Sequence, residues 1–252
     1  MSVFANQALA LADLRAGQLT LAAASFPQVA GLPDDYLWQK LLEAEQEVGR
    51  RLGIPLEPTE IFIDPPTAAE LAELSGAPYR VEPGYDLEQG FFSPDRWGQL
   101  RLRYRPIISV SSIQLIYPLF GLNPIDIPLD WLRIDHQYGA INLFPYNVSS
   151  LSTQTLFLTT LYSGGSFPTA IRLRYRAGLD NVEANYPDVL GIIRRMAVLR
   201  LLHDAFLPQS GSITSDGLSQ STSINLAVMQ DSLDKQLDTL KLQLTGLVFA
   251  VA

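Results

Sequence analysis

The chain contains no cysteine. Disulfides, thiolate metal ligands and a thiol nucleophile are therefore excluded. Histidine is nearly absent too, with two in 252 residues, His136 and His203. A histidine-based metal site would have to use both, together with carboxylates. Lysine is scarce, with Lys40, Lys235 and Lys241 against 15 arginines. Arginine suits interfaces, because its planar fork makes paired bonds and is weakly hydrated; the base composition of the gene is an equal explanation. No apolar run reaches the length of a bilayer span. The most apolar candidate helix is broken by Arg194, Arg195, Arg200, His203 and Asp204. The opening MSVFANQALALADLRAG has no basic start followed by an apolar run, so no signal peptide is expected. The expectation is a soluble protein made in a cytoplasm.

What is present is a globular composition. Hydrophobic residues are 47% and charged residues 17%, which supports a packed core. The 18 basic and 26 acidic residues leave a net charge of −8. Such a chain does not bind nucleic acid as a bulk polyanion, although it can line a conduit through which DNA slides.

The pattern along the chain predicts an α+β fold, with three main helices forming a core and a large β-rich insertion between the first two. Residues 1–33 read as a short helix or an arm. The first clear helix covers 34–53, where Leu37, Leu41, Ala44, Val48 and Leu52 share one face. Asp34 and Asp35 suit its N-terminus, Arg50 and Arg51 its last turn, and Gly53 with Pro55 its stop. The second helix, 187–206, is apolar nearly all round and has Pro187 in its first turn. Arg200 and Asp204 are spaced to pair on its polar stripe. The third helix, about 224–244, carries Met229, Leu233, Leu237, Leu240 and Leu244 as its apolar stripe. A polar Ser/Thr/Gly loop at 208–223 precedes it. The chain divides on this reading into 1–56, 57–178 and 179–252.

Residues 57–95 hold nine acids and a single base, Arg80. Thr67 and Glu70 form a capping-box pattern opening a short helix, and the rest reads as loop. Strands are expected at 99–105, 107–118, 131–135, 140–144, 155–162 and 170–176. The segments Leu100–Arg105 and Ile171–Arg176 nearly repeat each other. Each places three arginines on one strand face and apolar groups on the other. Like charges on one sheet need carboxylates or a partner nearby. Two half-buried strands with wet basic faces satisfy the pattern; so does a basic patch facing a neighbouring subunit. On the second reading Arg101, Arg103, Arg172 and Arg174 are candidate inter-subunit contacts, with the acids of 57–95 as donors.

Searches for chemistry find little. The chain has no G-x-S-x-G elbow, phosphate loop, H-E-x-x-H or paired C-x-x-C. His136 follows Asp135 in a strand-to-turn sequence and reads as a surface-turn histidine. His203, on the long helix, reads as a packed core residue. Asp126 and Asp130 flank a proline-rich segment and read as turn caps before Trp131. Gly164 and Gly165 lie between strands and do not open a helix. No catalytic, metal or cofactor residue is assigned.

Several local patterns occur in a fixed order. They are the helix exit Leu52-Gly-Ile-Pro55, then Arg105-Pro106-Ile107 with Ser109-Val110-Ser111-Ser112, then Pro128-Leu129-Asp130-Trp131 with Gly139-Ala140-Ile141. Arg174-Tyr175-Arg176-Ala177-Gly178-Leu179 leads to Pro187-Asp188-Val189-Leu190, and Asp216-Gly217-Leu218-Ser219 precedes the last helix. This order, spanning 34–244, resembles the head–tail connector (adaptor) family of tailed bacteriophages. The resemblance implies a structural protein of the virion, assembled in the host cytoplasm. It implies a ring, usually twelvefold, beneath the portal protein, extending the DNA channel and offering a platform to neck or tail. It implies no enzyme, no cofactor and no membrane. By the same analogy the C-terminal segment reaches into the portal, which makes Leu247, Val248, Phe249 and Val251 the candidate portal-binding residues. The β region at 57–176 departs from the small all-helical connectors. The alternatives are another neck or tail-completion protein, and a hydrolase built on His136 or His203.

Overall fold

The computed structural model describes residues 2–88, 91, 98–116, 124–144, 167–206 and 226–246. The chain is α+β and divides into two compact units. One comprises 54–180 with the chain's first residue and its last nine; the other comprises 2–53 and 181–243.

The helical unit opens with α1 (Gln7–Leu14), capped by Asn6, whose side chain accepts from the Ala8 and Leu9 amides. A π-helical segment, Arg15–Leu19, leads into α2 (Thr20–Ser25). Of the two readings of 1–33, a short helix or an arm, the helical one holds, and two side chains fasten the segment. Glu45, buried, accepts from Ser2 Oγ at 2.6 Å and from the Val3 amide at 3.0 Å. Arg15 pairs with Asp34 and donates to the Leu32 carbonyl at 2.8 Å.

α3 (Asp34–Leu52) forms where the apolar spacing and terminal charges place it. It buries Leu37, Leu41, Ala44, Val48 and Leu52 and ends at Gly53, whose φ of +71° is a left-handed cap. After a short turn, α5 (Val182–Asn185), comes α6 (Pro187–Phe206). It buries Val189, Ile193, Ala197 and Leu201 together with Leu190, Ile192, Val198 and Leu202, so its burial extends over most of its circumference. α7 (Leu226–Thr245) buries Leu233, Leu237 and Leu240. Met229, expected on that stripe, is exposed.

The β unit has two sheets. The first is organised on one long strand, β9 (Phe167–Ala177). β5 (Ile107–Leu115) runs antiparallel along one edge of β9. The other edge is shared by β1 (Thr59–Phe62), opposite Ala177–Tyr175, and β3 (Tyr85–Leu87), opposite Ile171 and Phe167. β2 (Tyr79–Val81) lies outside β1 and parallel to it, reached through α4 (Ala68–Leu74). β6 (Ile125–Asp126) lies outside β5. The second sheet has the order β4 (Gln99–Arg101), β8 (Ala140–Leu143), β7 (Leu132–Asp135), all antiparallel. Both sheets feed one apolar core, with Ile61, Ile113, Ile171, Leu173 and Tyr175 from the first and Leu100, Ile141 and Leu143 from the second.

Three expectations are corrected. The segment 57–95 is not loop throughout: besides α4, whose capping box is present, it carries the short strands β1, β2 and β3. These strands are three or four residues long, too short for a periodic signal. The strand expected at 99–105 stops at Arg101. Its partner β8 is itself only four residues long, and the ladder runs out at the Gly139 turn, where the Leu102 amide donates to the Gly139 carbonyl. The two arginine repeats consequently lie in different sheets and do not share a face. The strand expected at 155–162 and the loop at 208–223 lie outside the described residues.

Candidate functional site

β9 alternates as its sequence requires. Ile171, Leu173, Tyr175 and Ala177 turn inward, and Arg172, Arg174 and Arg176 turn outward. Carboxylates of the acidic segment meet this outer face within the same chain. Arg172 pairs with Asp64. Arg174 lies within reach of three carboxylates, Glu60 at 3.5 Å, Glu73 at 3.6 Å and Glu70 at 3.8 Å, and its guanidinium stacks on Phe62 at 4.8 Å. Hydrogen bonds from the Thr67 backbone and hydroxyl, with Arg174 beyond them, hold the Glu70 carboxyl below its usual range. Arg176 is exposed and has no carboxylate within 4 Å among the described residues.

Arg103 marks a second cluster. It donates to the Pro83 carbonyl at 2.6 Å and stacks over the Tyr85 ring at 4.4 Å. Its Nη1 is 3.9 Å from the carboxylate of Glu82, a side chain only 2% exposed. Glu82 Oε1 accepts from Tyr85 OH at 2.7 Å and Tyr175 OH at 3.1 Å, while Oε2 accepts no hydrogen bond among the described residues. Burial pushes the Glu82 carboxyl above its ordinary range, and the two tyrosines and Arg103 oppose this. Burial likewise pushes both phenols up. Their oxygens each accept a backbone amide as well, from Arg103 to Tyr85 and from Tyr104 to Tyr175. Glu82 thus ties β3, β9 and the chain after β4 together. Nothing in the sequence distinguishes it from the other acids of 57–95, because its partners come from remote strands.

Arg101, on β4, is exposed without a carboxylate within 4 Å among the described residues. Arg105 likewise has none; burial, and then Arg101, lower its affinity for its proton. Of the four arginines singled out, Arg172 and Arg174 therefore have carboxylate partners in their own chain. Arg103 is held by Pro83, Tyr85 and Glu82, and Arg101 stands unpaired. Leu247, Val248, Phe249 and Val251 lie outside the described residues, as do Gly164 and Gly165.

The helical unit has its own charged groove, a cavity of about 310 Å³. Lys40, Glu43, Glu47 and Arg51 follow one stripe of α3, and Arg200, His203 and Asp204 come from α6. Lys40 pairs with Asp204 at 2.9 Å and with Glu43 at 3.1 Å, and Arg51 pairs with Glu47 at 2.6 Å and with Asp234. The hydrogen bond from Lys40 keeps Asp204 below its usual range, and the bond from Arg51 does the same for Glu47. Arg200 turns to Glu43 and Glu47, so the expected Arg200–Asp204 pair does not form. A better-placed cation, Lys40, takes Asp204.

His203 is exposed on this groove and is not a core residue, because it falls on the polar stripe of α6. His136 sits in the β7–β8 turn, with Nδ1 2.8 Å from the Ile107 carbonyl. Among the described residues no hydrogen bond joins either histidine to a serine or a carboxylate, and no three ligating side chains converge as a metal site. Asp126 accepts from Gln114 at 2.8 Å across β5 and β6, and Asp130 lies in the 3₁₀ turn Leu129–Trp131. No helix among the described residues is long and apolar enough to cross a membrane.

No family model matches the chain, and no curated protein matches it in sequence. Among solved structures, it is similar to a chain in the neck of an empty GTA particle computed with C6 symmetry. That similarity has a TM-score of 0.34 at 12% identity and covers 75% of this chain and 74% of the other. A likeness of this extent carries no argument about function.

Proposed function

We propose that this chain is a structural head–tail connector of a tailed phage. It forms a ring, most simply of twelve copies, beneath the portal protein, extends the DNA channel and gives neck or tail proteins a platform. The observation that carries this reading is the order of elements. A helical unit made of 2–53 and 181–243 is interrupted by a β unit, 54–180, in the sequence order that resembles the connector family. On this reading 57–178 is an insertion domain between the segments 1–56 and 179–252. Leu247, Val248, Phe249 and Val251 dock into the portal, and the arginines at 101, 103, 172 and 174 lie at or near contacts between copies. The net charge of −8 suits a channel wall from which DNA phosphates slip free. No catalysis and no cofactor are required, since ring symmetry multiplies buried surface. The protein acts in the virion, at the head–tail interface.

The test is co-sedimentation of the purified protein with the portal ring of the same phage. Comigration at about one copy per portal subunit is expected. If the protein stays in the supernatant while remaining soluble, the connector role fails, and a more distal neck or tail-completion part takes its place. His136→Ala and His203→Ala are expected to leave particle assembly and infectivity unchanged. Loss of infectivity in correctly assembled particles would favour a hydrolase.

A further inference from the structure

β2 is the outer strand of the six-stranded sheet. The Pro78 carbonyl and the Glu82 amide bond to β1. Strand alternation therefore turns the main-chain N–H and C=O groups of Tyr79 and Val81 away from β1, toward the free edge. Tyr79 is 46% exposed and Val81 45%, and Leu71 of α4, the helix that leads into β2, is 39% exposed. Free edges of this kind are usually covered or blunted with charge. Here the one charge on the strand is Arg80, whose guanidinium lies over the Tyr104 ring at 5.2 Å. The rim is acidic. Glu60, Glu70 and Glu73 share a single arginine, Arg174, and Glu73 is 67% exposed.

β4 is the outer strand of the other sheet and, among the described residues, pairs only with β8. It carries Arg101, exposed and without a carboxylate within 4 Å among the described residues, and Arg105, half-buried and likewise without one, follows. Among the described residues one chain thus presents two strand edges with no neighbouring strand, one apolar with an acidic rim and the other carrying Arg101 unpaired, with Asp86 and Glu88 lining the same cavity.

We propose that the α4–β2 edge of one copy receives the β4 edge of the next, with Glu70 and Glu73 facing Arg101 and Arg105. This contact deepens the ring reading given above and rests on it. Charge selects the occupant. An acidic rim disfavours nucleic acid, and the unpaired cations it needs stand on the opposite edge of the same sequence. Tyr79 and Val81 supply apolar contact and the main-chain groups for strand addition. Because the two edges differ, the contact is head-to-tail, which propagates until rotation closes a ring. Of the four arginines considered, the contact uses Arg101 and leaves Arg172 and Arg174 on the acids of their own chain.

The experiment is sedimentation velocity of the full-length protein across a concentration series. Wild type is expected to self-associate. Glu73→Arg and Arg101→Glu are each expected to weaken association about tenfold, and the two together in one chain to restore it to within about threefold of wild type. Val81→Pro removes an outward N–H while sparing the bonds to β1, and is expected to abolish association with an unchanged circular dichroism spectrum. Wild type that stays monomeric throughout, single variants that associate like wild type, or a double variant no better than the singles would each overturn the contact. The portal experiment separates the two ideas. Self-association without portal binding removes the connector role alone. Portal binding with association indifferent to these variants removes this contact alone.

Discussion

The two units handle charge in opposite ways. In the helical unit, cations and carboxylates alternate along the facing stripes of α3 and α6, and the pairs interlock: Lys40 with Glu43 and Asp204, Arg51 with Glu47 and Asp234, Arg200 with Glu43 and Glu47. In the β unit the charges are separated. Three carboxylates crowd Arg174, Glu82 is buried beside two phenols, and Arg101, Arg105 and Arg176 have no carboxylate within 4 Å among the described residues. A surface with its charges paired internally is complete alone. A surface with unbalanced charge at strand edges has something left to offer a partner. The difference teaches where the proposed contact between copies finds unsatisfied charge, which is at the strand edges of the β unit.

The largest expected effect tests whether the units are separate in energy as well as in contacts. Leu41→Ala on α3 deletes a fully buried side chain and should cost about 3 kcal/mol. If the units unfold independently, the loss moves only one of two transitions in a urea titration followed by circular dichroism, and the other keeps its midpoint. A common shift would erase the division. Next, Tyr175→Phe removes one of two hydroxyl donors to Glu82 and leaves the Tyr104 amide unanswered, at a cost of about 2 kcal/mol in the β-unit transition.

Glu82→Gln sharpens the contrast through pH. Burial raises the folded-state affinity of Glu82 for its proton, so the ionised form burdens the fold above that raised value. As pH falls toward the unfolded value of 4.5, wild type recovers stability that the glutamine variant never lacked. The variant should therefore be at least as stable as wild type near pH 8, with its advantage shrinking as pH falls. A gap that widens on acidification would mean that Arg103 dominates the site. The smallest effect belongs to the helical unit. Asp204→Asn breaks a partly exposed pair with Lys40 and should cost about 1 kcal/mol or less. The sign is opposite to that of Glu82. The Asp204 carboxyl is held low, so its contribution is present above the unfolded value of 3.8 and lost as pH drops through the folded one.

The helical unit was largely legible in the sequence because its determinants are local. The spacing of Leu37, Leu41, Ala44, Val48 and Leu52, the acids at one end and Gly53 at the other all lie within α3 itself. The exceptions are informative. Met229 and His203 have the right residue type for burial at the wrong place, and only the position of neighbouring helices decides that. The β unit was legible in composition but not in pairing. β1, β2 and β3 are too short for alternation to register, and β9 finds its neighbours about a hundred residues away. The arginine repeat was visible at 100–105 and 171–176; that its halves belong to different sheets was not. Glu82 carried no signal, since a buried acid is defined by partners that sequence spacing cannot reveal.

The ends of the β unit have one further consequence. The Leu179 amide donates to the Pro55 carbonyl at 3.3 Å, and Gly178, at φ +122°, passes so near Glu57 that a Cβ there would meet its carbonyl oxygen at 2.3 Å. The unit's way in and way out are therefore fastened side by side. To the chain on either side of it, the whole β unit is topologically a short loop, because the entropy of closing it is met by its own folding. Residues 54–180 therefore begin and end at one place, and the chain that precedes them and the chain that follows them leave from neighbouring points.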